Sequence, residues 1–311
     1  MATIGEPRAC LKFPRLSLKR QEIFAFYLFT GPWILGFLIF TAGPMLGSLL
    51  LSLTQYQIVN PPQFVGLANY KAMLFDDPLM WHSLRITAFY AMGSVFLTVT
   101  VAFMTALLMN QDVLGISVFR TIYYLPSSIS GVPLAILWMW IFNPEFGILN
   151  VGLGVVGVHG PDWIWSPVWV IPAFILMSVW SMGGAMVIFL AGLQGIPQHL
   201  YEAVDLDGGG VLAKFGHVTL PMVSPVIFFN IVMSIIGAFQ TFTNAYVMTN
   251  GGPGNASLFY VLYLYRNAFL YEGMGYACAL AWLLLVIILA LVFVVFRSSP
   301  YWVYYEGELT R

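Results

Sequence analysis

The chain has 311 residues, of which 60% are hydrophobic and only 8% charged, whereas a water-soluble domain carries about 25% charged residues. So few charges cannot cover a water-facing surface, which excludes an ordinary soluble domain and makes lipid the expected solvent. The net charge of −1 leaves no electrostatic footprint for nucleic acid.

The N-terminal arm, residues 1–22, holds Arg8, Lys12, Arg15, Lys19 and Arg20. The apolar run after it, 23–53, is far longer than the about 7–15 residues of a signal-peptide core and has no cleavage site at the right distance. It reads as a retained membrane helix, with Gly43–Pro44 a candidate kink. A helix crosses a bilayer with about 20 apolar residues, and five more segments qualify: 84–109, 120–142, 168–193, 222–248 and 275–296. Six spans therefore fill a membrane domain over 23–297, followed by a tail, 298–311. Pro126 and Pro133 fall inside the third span, where neighbours must satisfy the carbonyls they free. Trp163, Trp165 and Trp169, around the start of the fourth span, are expected interface anchors.

An even number of spans puts both termini on one side. Together with the second-to-third and fourth-to-fifth loops, that side carries nine Lys and Arg: Arg8, Lys12, Arg15, Lys19, Arg20, Arg120, Lys214, Arg297 and Arg311. The other side carries Lys71, Arg85 and Arg266. The charge bias makes the termini cytoplasmic.

The acids lie near span ends or in loops, so no span centre holds a carboxylate, histidine or lysine of the kind that drives ion-coupled carriers. There is no phosphate-cradling G-x-x-x-x-G-K-[ST] loop. His82, His159 and His199 have no metal-ligand spacing with one another or with cysteine. Cys10 and Cys278 sit in different environments and suggest no disulfide. Neutral polar groups do occur in the spans: Ser178 and Ser181 in the fourth, and Asn230, Ser234, Gln240, Thr241, Thr243 and Asn244 in the fifth. Singly, each is an interhelical hydrogen bond worth about 0.6 kcal/mol. As a group, with Trp180 and Phe239 beside them, they suit a pathway for an uncharged, hydroxyl-rich solute.

The segment "YEAVDLDGGGVLAKFGHVTLPMVSP", 201–225, breaks the apolar pattern. Residues 198–206 after Pro197 fit a short helix with Ala203, Val204 and Leu206 on an apolar side. Gly208, Gly209 and Gly210 permit a sharp reversal, and 211–220 fit a second short helix stopped by Pro221. Glu202, Asp205 and Asp207 stand against Lys214 alone. A membrane-surface helix is usually basic, so this elbow is expected to meet a protein partner, with an arginine opposite Glu202.

Its spacing resembles the EAA loop of ABC importer permeases, E-A-A-x-x-x-G followed by L-P, with Glu202, Ala203, Gly208, Leu220 and Pro221 at the motif positions. Val204 replaces the usual third-position alanine, and Gly209 an alanine that commonly follows the glycine. "FVGLANYKAML", "FRTIYYLPSSISGVPLAILWMWIFNPEFGILN" and "TNGGPGNAS" resemble the carbohydrate branch (maltose, trehalose or glycerol-phosphate type), and the likeness runs from about Gln21 to Phe296.

The resemblance implies an all-α membrane protein of six transmembrane helices, the transmembrane domain of a type I ABC importer with cytoplasmic coupling (EAA) helices. It implies a non-catalytic subunit in a prokaryotic cell membrane, partnered by a second homologous permease, two ATP-binding subunits that hold ATP and Mg, and an extracytoplasmic sugar-binding protein. Glu202, Ala203, Val204, Leu206, Asp207, Gly208, Leu220 and Pro221 would form the coupling element. Trp180, Ser181, Gly184, Ser234 and Thr241, by spacing from Glu202, with Gln240 and Asn244 beside them, would line the sugar pathway. An importer for another polar solute is the alternative, ahead of an ion-coupled carrier or a membrane enzyme.

Overall fold

The computed structural model describes residues 17–304; Cys10, most of the basic arm and the last residues of the tail lie outside that range. The chain forms two compact units, Met1–Leu50 and Leu51–Arg311.

In the first unit a helix, Leu18–Phe37, passes through a wide π turn, Leu38–Ala42, into the helix that begins at Gly43. None of residues 18–50 is buried. The irregularity sits just before the expected kink. Pro44 cannot donate to the preceding turn and its ring crowds the carbonyl there, and a π turn widens the backbone at that point. Gly43 helps, because a Cβ on it would stand 2.9 Å from the Leu38 carbonyl.

The second unit opens with a small hairpin in which Thr54 pairs with Phe64 and Gln55 with Gln63. The Asn69 amide ties it down by donating to the Ser52 and Thr54 carbonyls at 2.8 and 2.9 Å. The central helix, Pro78–Met109, starts six residues before the expected span because Asp77 caps it, accepting from the Leu79 and Met80 amides at 3.0 and 3.1 Å. Its buried residues include Ser83, Thr87, Ala91, Ser94, Ala102, Thr105 and Ala106. Small side chains let helix backbones approach closely, and four neighbours pack on this helix: Val170–Trp180, Gly183–Gln194, Leu220–Phe239 and Tyr260–Tyr265. A Cβ on Gly93 would meet the Ile175 side chain at 2.5 Å.

Among the described residues four helical runs are long and apolar enough to cross a membrane: Leu18–Ser52, Pro78–Met109, Val211–Met248 and Met274–Tyr301. The third and fourth expected spans are not straight. Ile116–Ser128 meets Val132–Ile141 at 105°, and Val170–Trp180 meets Gly183–Gln194 at 48°. By length and composition, counting each bent pair as one span gives up to six among the described residues. The first bend follows from Pro126, Pro133 and a left-handed Gly131 (φ 70°), which together remove the donors and the helical φ a straight span needs. The second follows from packing: Gly183 presses on the 116–128 segment, and a Cβ there would lie 2.8 Å from the Tyr123 carbonyl.

The larger core cluster gathers Tyr90, Phe174 and Phe259, whose rings meet edge-on at 5.1 and 5.4 Å. A smaller one, around Phe103, Phe189 and Leu193, lies where the central helix ends. Trp163, expected at the lipid interface, is instead half-buried in protein. Its indole donates to the Asn150 side-chain oxygen at 2.7 Å and its ring packs on Phe142 and Trp169.

At the N-terminal end of the central helix the Asp77 carboxylate also accepts from the Tyr263 and Tyr276 hydroxyls. The Tyr260 amide donates to the Thr87 hydroxyl at 2.9 Å and the Tyr260 hydroxyl to the Leu280 carbonyl at 2.9 Å. Burial and then the neighbouring Asp77 carboxylate push the Tyr263 phenol up to about 12, so it stays a donor at any physiological pH.

Candidate functional site

Two places gather the polar residues of the second unit: the elbow after Gln194, and a cavity where helices break.

The elbow's first helix is Gln198–Leu206, with Pro197 extended before it. It ends in a Schellman closure. The Gly209 amide donates to the Val204 carbonyl at 2.8 Å and the Gly208 amide to the Asp205 carbonyl at 3.0 Å. The closure needs a left-handed residue after the helix, and Gly208 has φ 76°. Two cross-links set the elbow angle: Lys214 pairs with Asp205 at 2.7 Å, and the Tyr201 hydroxyl meets the Thr219 hydroxyl at 3.1 Å.

The outgoing arm is Val211–Lys214, a π turn Phe215–Thr219, and Leu220–Phe239 without interruption. Pro221 therefore does not stop a second short helix, as the sequence led us to expect. It occupies the first turn of a long one, where the π turn before it takes up the ring's conflict with the preceding carbonyls. Phe215 packs on Phe103 at 6.2 Å between centroids and seats the arm on the smaller core cluster. Leu206, Val211 and Leu212 are 90%, 82% and 86% exposed, and Glu202, Ala203 and Asp207 are exposed with them. Glu202 forms no ion pair among the described residues, because Lys214 is taken by Asp205.

The two departures from the EAA pattern share one space. A Cβ on Gly209 would lie 2.5 Å from the Val204 side chain, so the larger third residue is compatible with glycine, not alanine, at the later position. Overpacking of this kind costs about 1–3 kcal/mol. Gly209→Ala is expected to destabilise the elbow by that order, and Val204→Ala in the same chain to recover more than half of it, read as hydrogen-exchange protection over residues 198–214. Equal loss of protection in the single and double variants would mean the two positions do not compete.

The cavity, about 360 Å³, is lined by Tyr90, Ser94 and Thr98 on the central helix, Ser178 and Ser181 on the bent pair, and Ser234 and Asn244, together with apolar positions such as Leu134 and Met177. No charged side chain is among them. Two helix breaks border it. Ser181 lies in the gap between Val170–Trp180 and Gly183–Gln194, and residues 240–242 separate Leu220–Phe239 from Thr243–Met248, dividing the fifth expected span. Irregular backbone inside a membrane protein is tolerated where it lines a cavity or is buried in protein. The Thr98 and Ser178 hydroxyls meet at 3.1 Å, and the Tyr90 hydroxyl faces those of Thr241 and Ser94. The Asn244 side-chain oxygen is buried and, among the described residues, has no hydrogen-bond partner.

Of the expected pathway residues, Ser181, Ser234 and Asn244 line the cavity; Thr241 does not, and lies beside Tyr90, which does. Trp180, Gly184 and Gln240 do not line it; Trp180 packs edge-on against Trp138 at 5.7 Å, and Gln240 caps the end of its helix, exposed. Sequence reasoning missed Tyr90, Ser94 and Thr98. Their spacing, every fourth residue, is a polar stripe on one helix face and was readable. Among the described residues no group of His, Cys, Asp and Glu is placed to hold a metal.

Residues 98–300 match the family described as the inner membrane component of binding-protein-dependent transport systems. The chain is similar to the probable ABC transporter permease YesP of Bacillus subtilis, with 42% identity over 93% of this chain and 94% of that protein. It is also similar to the arabinooligosaccharide transport system permease AraP of the same organism, with 33% identity over 88% of each. Among solved structures, a chain of a bacterial ABC transporter involved in importing the acidic polysaccharide alginate shares the fold, with a TM-score of 0.80 over 96% of this chain and 100% of that one at 22% identity.

Proposed function

The chain belongs to the family of binding-protein-dependent transport system inner membrane components, and from that premise we propose that it is the six-span permease subunit of an ATP-driven sugar importer. Its permease domain is 23–297, with both termini cytoplasmic. The elbow docks on a separate ATPase. Glu202 takes the polar contact, Ala203, Val204 and Leu206 fill the partner's cleft, Asp207 and Gly208 close the turn, and Leu220 and Pro221 carry movement into the long helix. ATP and Mg belong to two ATP-binding subunits, a second homologous permease supplies the other half of the pathway, and an extracytoplasmic binding protein delivers the cargo.

The observation that carries the sugar reading is the cavity's lining: hydroxyls and an amide, each able to accept from or donate to a sugar hydroxyl, with aromatic and aliphatic walls and no charge. Ser181, Ser234, Thr241 and Asn244 form the pathway with Tyr90, Ser94 and Thr98. Trp180, Gly184 and Gln240 flank it. Named relatives that move arabinooligosaccharides and trehalose or maltose support the same class.

Purification of the tagged chain from its native membrane tests this. It is expected to retain a second permease and an ATP-hydrolysing subunit, and to move sugar in liposomes only with ATP and the binding protein. Sugar transport by the chain alone, without ATP, would overturn the reading.

A further inference from the structure

The last helix, Met274–Ser298, ends in a single tight turn, Ser299–Tyr301, and that turn is fastened. The Trp302 and Val303 amides both donate to the Ser299 carbonyl, at 3.2 and 2.8 Å. The Trp302 indole donates to the Ser298 hydroxyl at 3.1 Å. The chain then runs on past the helix and buries Val303 against the protein.

It lands on the outgoing arm of the elbow. The Tyr304 amide donates to the Ser224 hydroxyl at 2.8 Å, and that hydroxyl donates to the Pro221 carbonyl at 2.6 Å. One buried side chain thus ties the end of the sixth expected span to the motif proline. One turn further along, Phe228 meets Phe296 edge-on at 4.8 Å and Trp302 at 6.1 Å. Hydrogen bonds and rings together grip the arm at Pro221, Ser224 and Phe228, all on the face that helix spacing brings to one side.

We propose that residues 302–304 are positioning residues that clamp the last helix to the outgoing arm, so that the two move as one body when the elbow is driven. Packed apolar side chains alone allow helices to slide in small steps. A directional bond to the Pro221–Ser224 turn plus an aromatic bracket removes that freedom at the end nearest the elbow. The ATPase then moves the last helix as well as the fifth, although only the fifth is continuous with the elbow. The inference rests on the reading that the elbow docks on an ATPase.

The test uses the complete purified transporter with Cys10 and Cys278 replaced by serine and spin labels at Leu212→Cys and Arg297→Cys. Their distance distribution is measured without nucleotide and with ATP trapped by vanadate. In the otherwise native chain the distribution is expected to keep its centre and width in both states. In Ser224→Ala/Trp302→Ala it is expected to shift on trapping, and Ser224→Thr/Trp302→Phe is expected to restore the fixed distance, which a merely structural loss would not do. A shift in the native chain, or none in the alanine variant, overturns the clamp while the ATPase remains bound. If no ATPase co-purifies, the docking reading falls first and the clamp with it.

Discussion

Glu202→Lys is expected to lower the amount of ATP-hydrolysing subunit retained on the purified permease by tenfold or more at equal expression. Three acids stand on the elbow, yet they are not equivalent. Asp205 is neutralised by Lys214, and Asp207 sits at the helix C-terminus, where the backbone dipole is already negative. Glu202 is exposed and, among the described residues, without an ion-pair partner, next to Ala203 and on the same short helix as Leu206. An acid beside uncovered apolar groups is desolvated when a partner covers them. Removing one member of a buried, hydrogen-bonded charge pair costs about 2–5 kcal/mol, and a reversed charge adds repulsion. Each 1.4 kcal/mol is about tenfold in affinity, so the loss should show in a simple pull-down. Asp205→Asn provides the contrast: it breaks an exposed pair worth about 0–1 kcal/mol and should leave retention within a few-fold. Equal retention by Glu202→Lys and the native chain would remove Glu202 from the docking role.

Asn244→Leu is expected to change stability and transport in opposite directions. A buried acceptor without a partner costs about 1–3 kcal/mol, and the Asn244 oxygen is such an atom on the wall of the cavity. An apolar side chain of similar size removes that cost, so the detergent-solubilised transporter should unfold at a higher temperature, by about 2–4 °C for each kcal/mol. If the oxygen waits for a sugar hydroxyl, the same change deletes a hydrogen bond to cargo, and sugar transport should fall about tenfold while the ATPase stays docked. A lower unfolding temperature with unchanged transport would make Asn244 a structural residue.

The elbow was legible because it is local. Its helix, its reversal and its closure depend on residues within one short segment, and a glycine at 208 can be read as a left-handed turn without knowing what lies around it. The reading failed at Pro221 because a proline stops one helix and starts another by the same chemistry, and only the π turn before it decides which. The cavity was half legible. Ser234 and Asn244 stand out in an apolar span, but the break that brings Ser181 to them is tied to long-range packing, Gly183 against Tyr123. No local residue pattern announces such a contact. Tyr90, Ser94 and Thr98 were passed over because the central helix reads as apolar when scanned along the chain, and its polar face emerges only at four-residue spacing.

The Asp77 carboxylate joins the start of the central helix, Tyr263 and Tyr276 at one end of the bundle, whereas Phe103, near the other end, touches the elbow arm through Phe215. If the elbow is driven as proposed, the helix works as a lever whose held end runs from Asp77 to Tyr90, because Thr87 accepts from the Tyr260 amide and Tyr90 packs on Phe259. The far end, at Phe103, then moves more than the cavity wall at Tyr90 does. Under the proposed docking, Asp77→Ala would loosen that held end and let less of the elbow's movement reach the cavity.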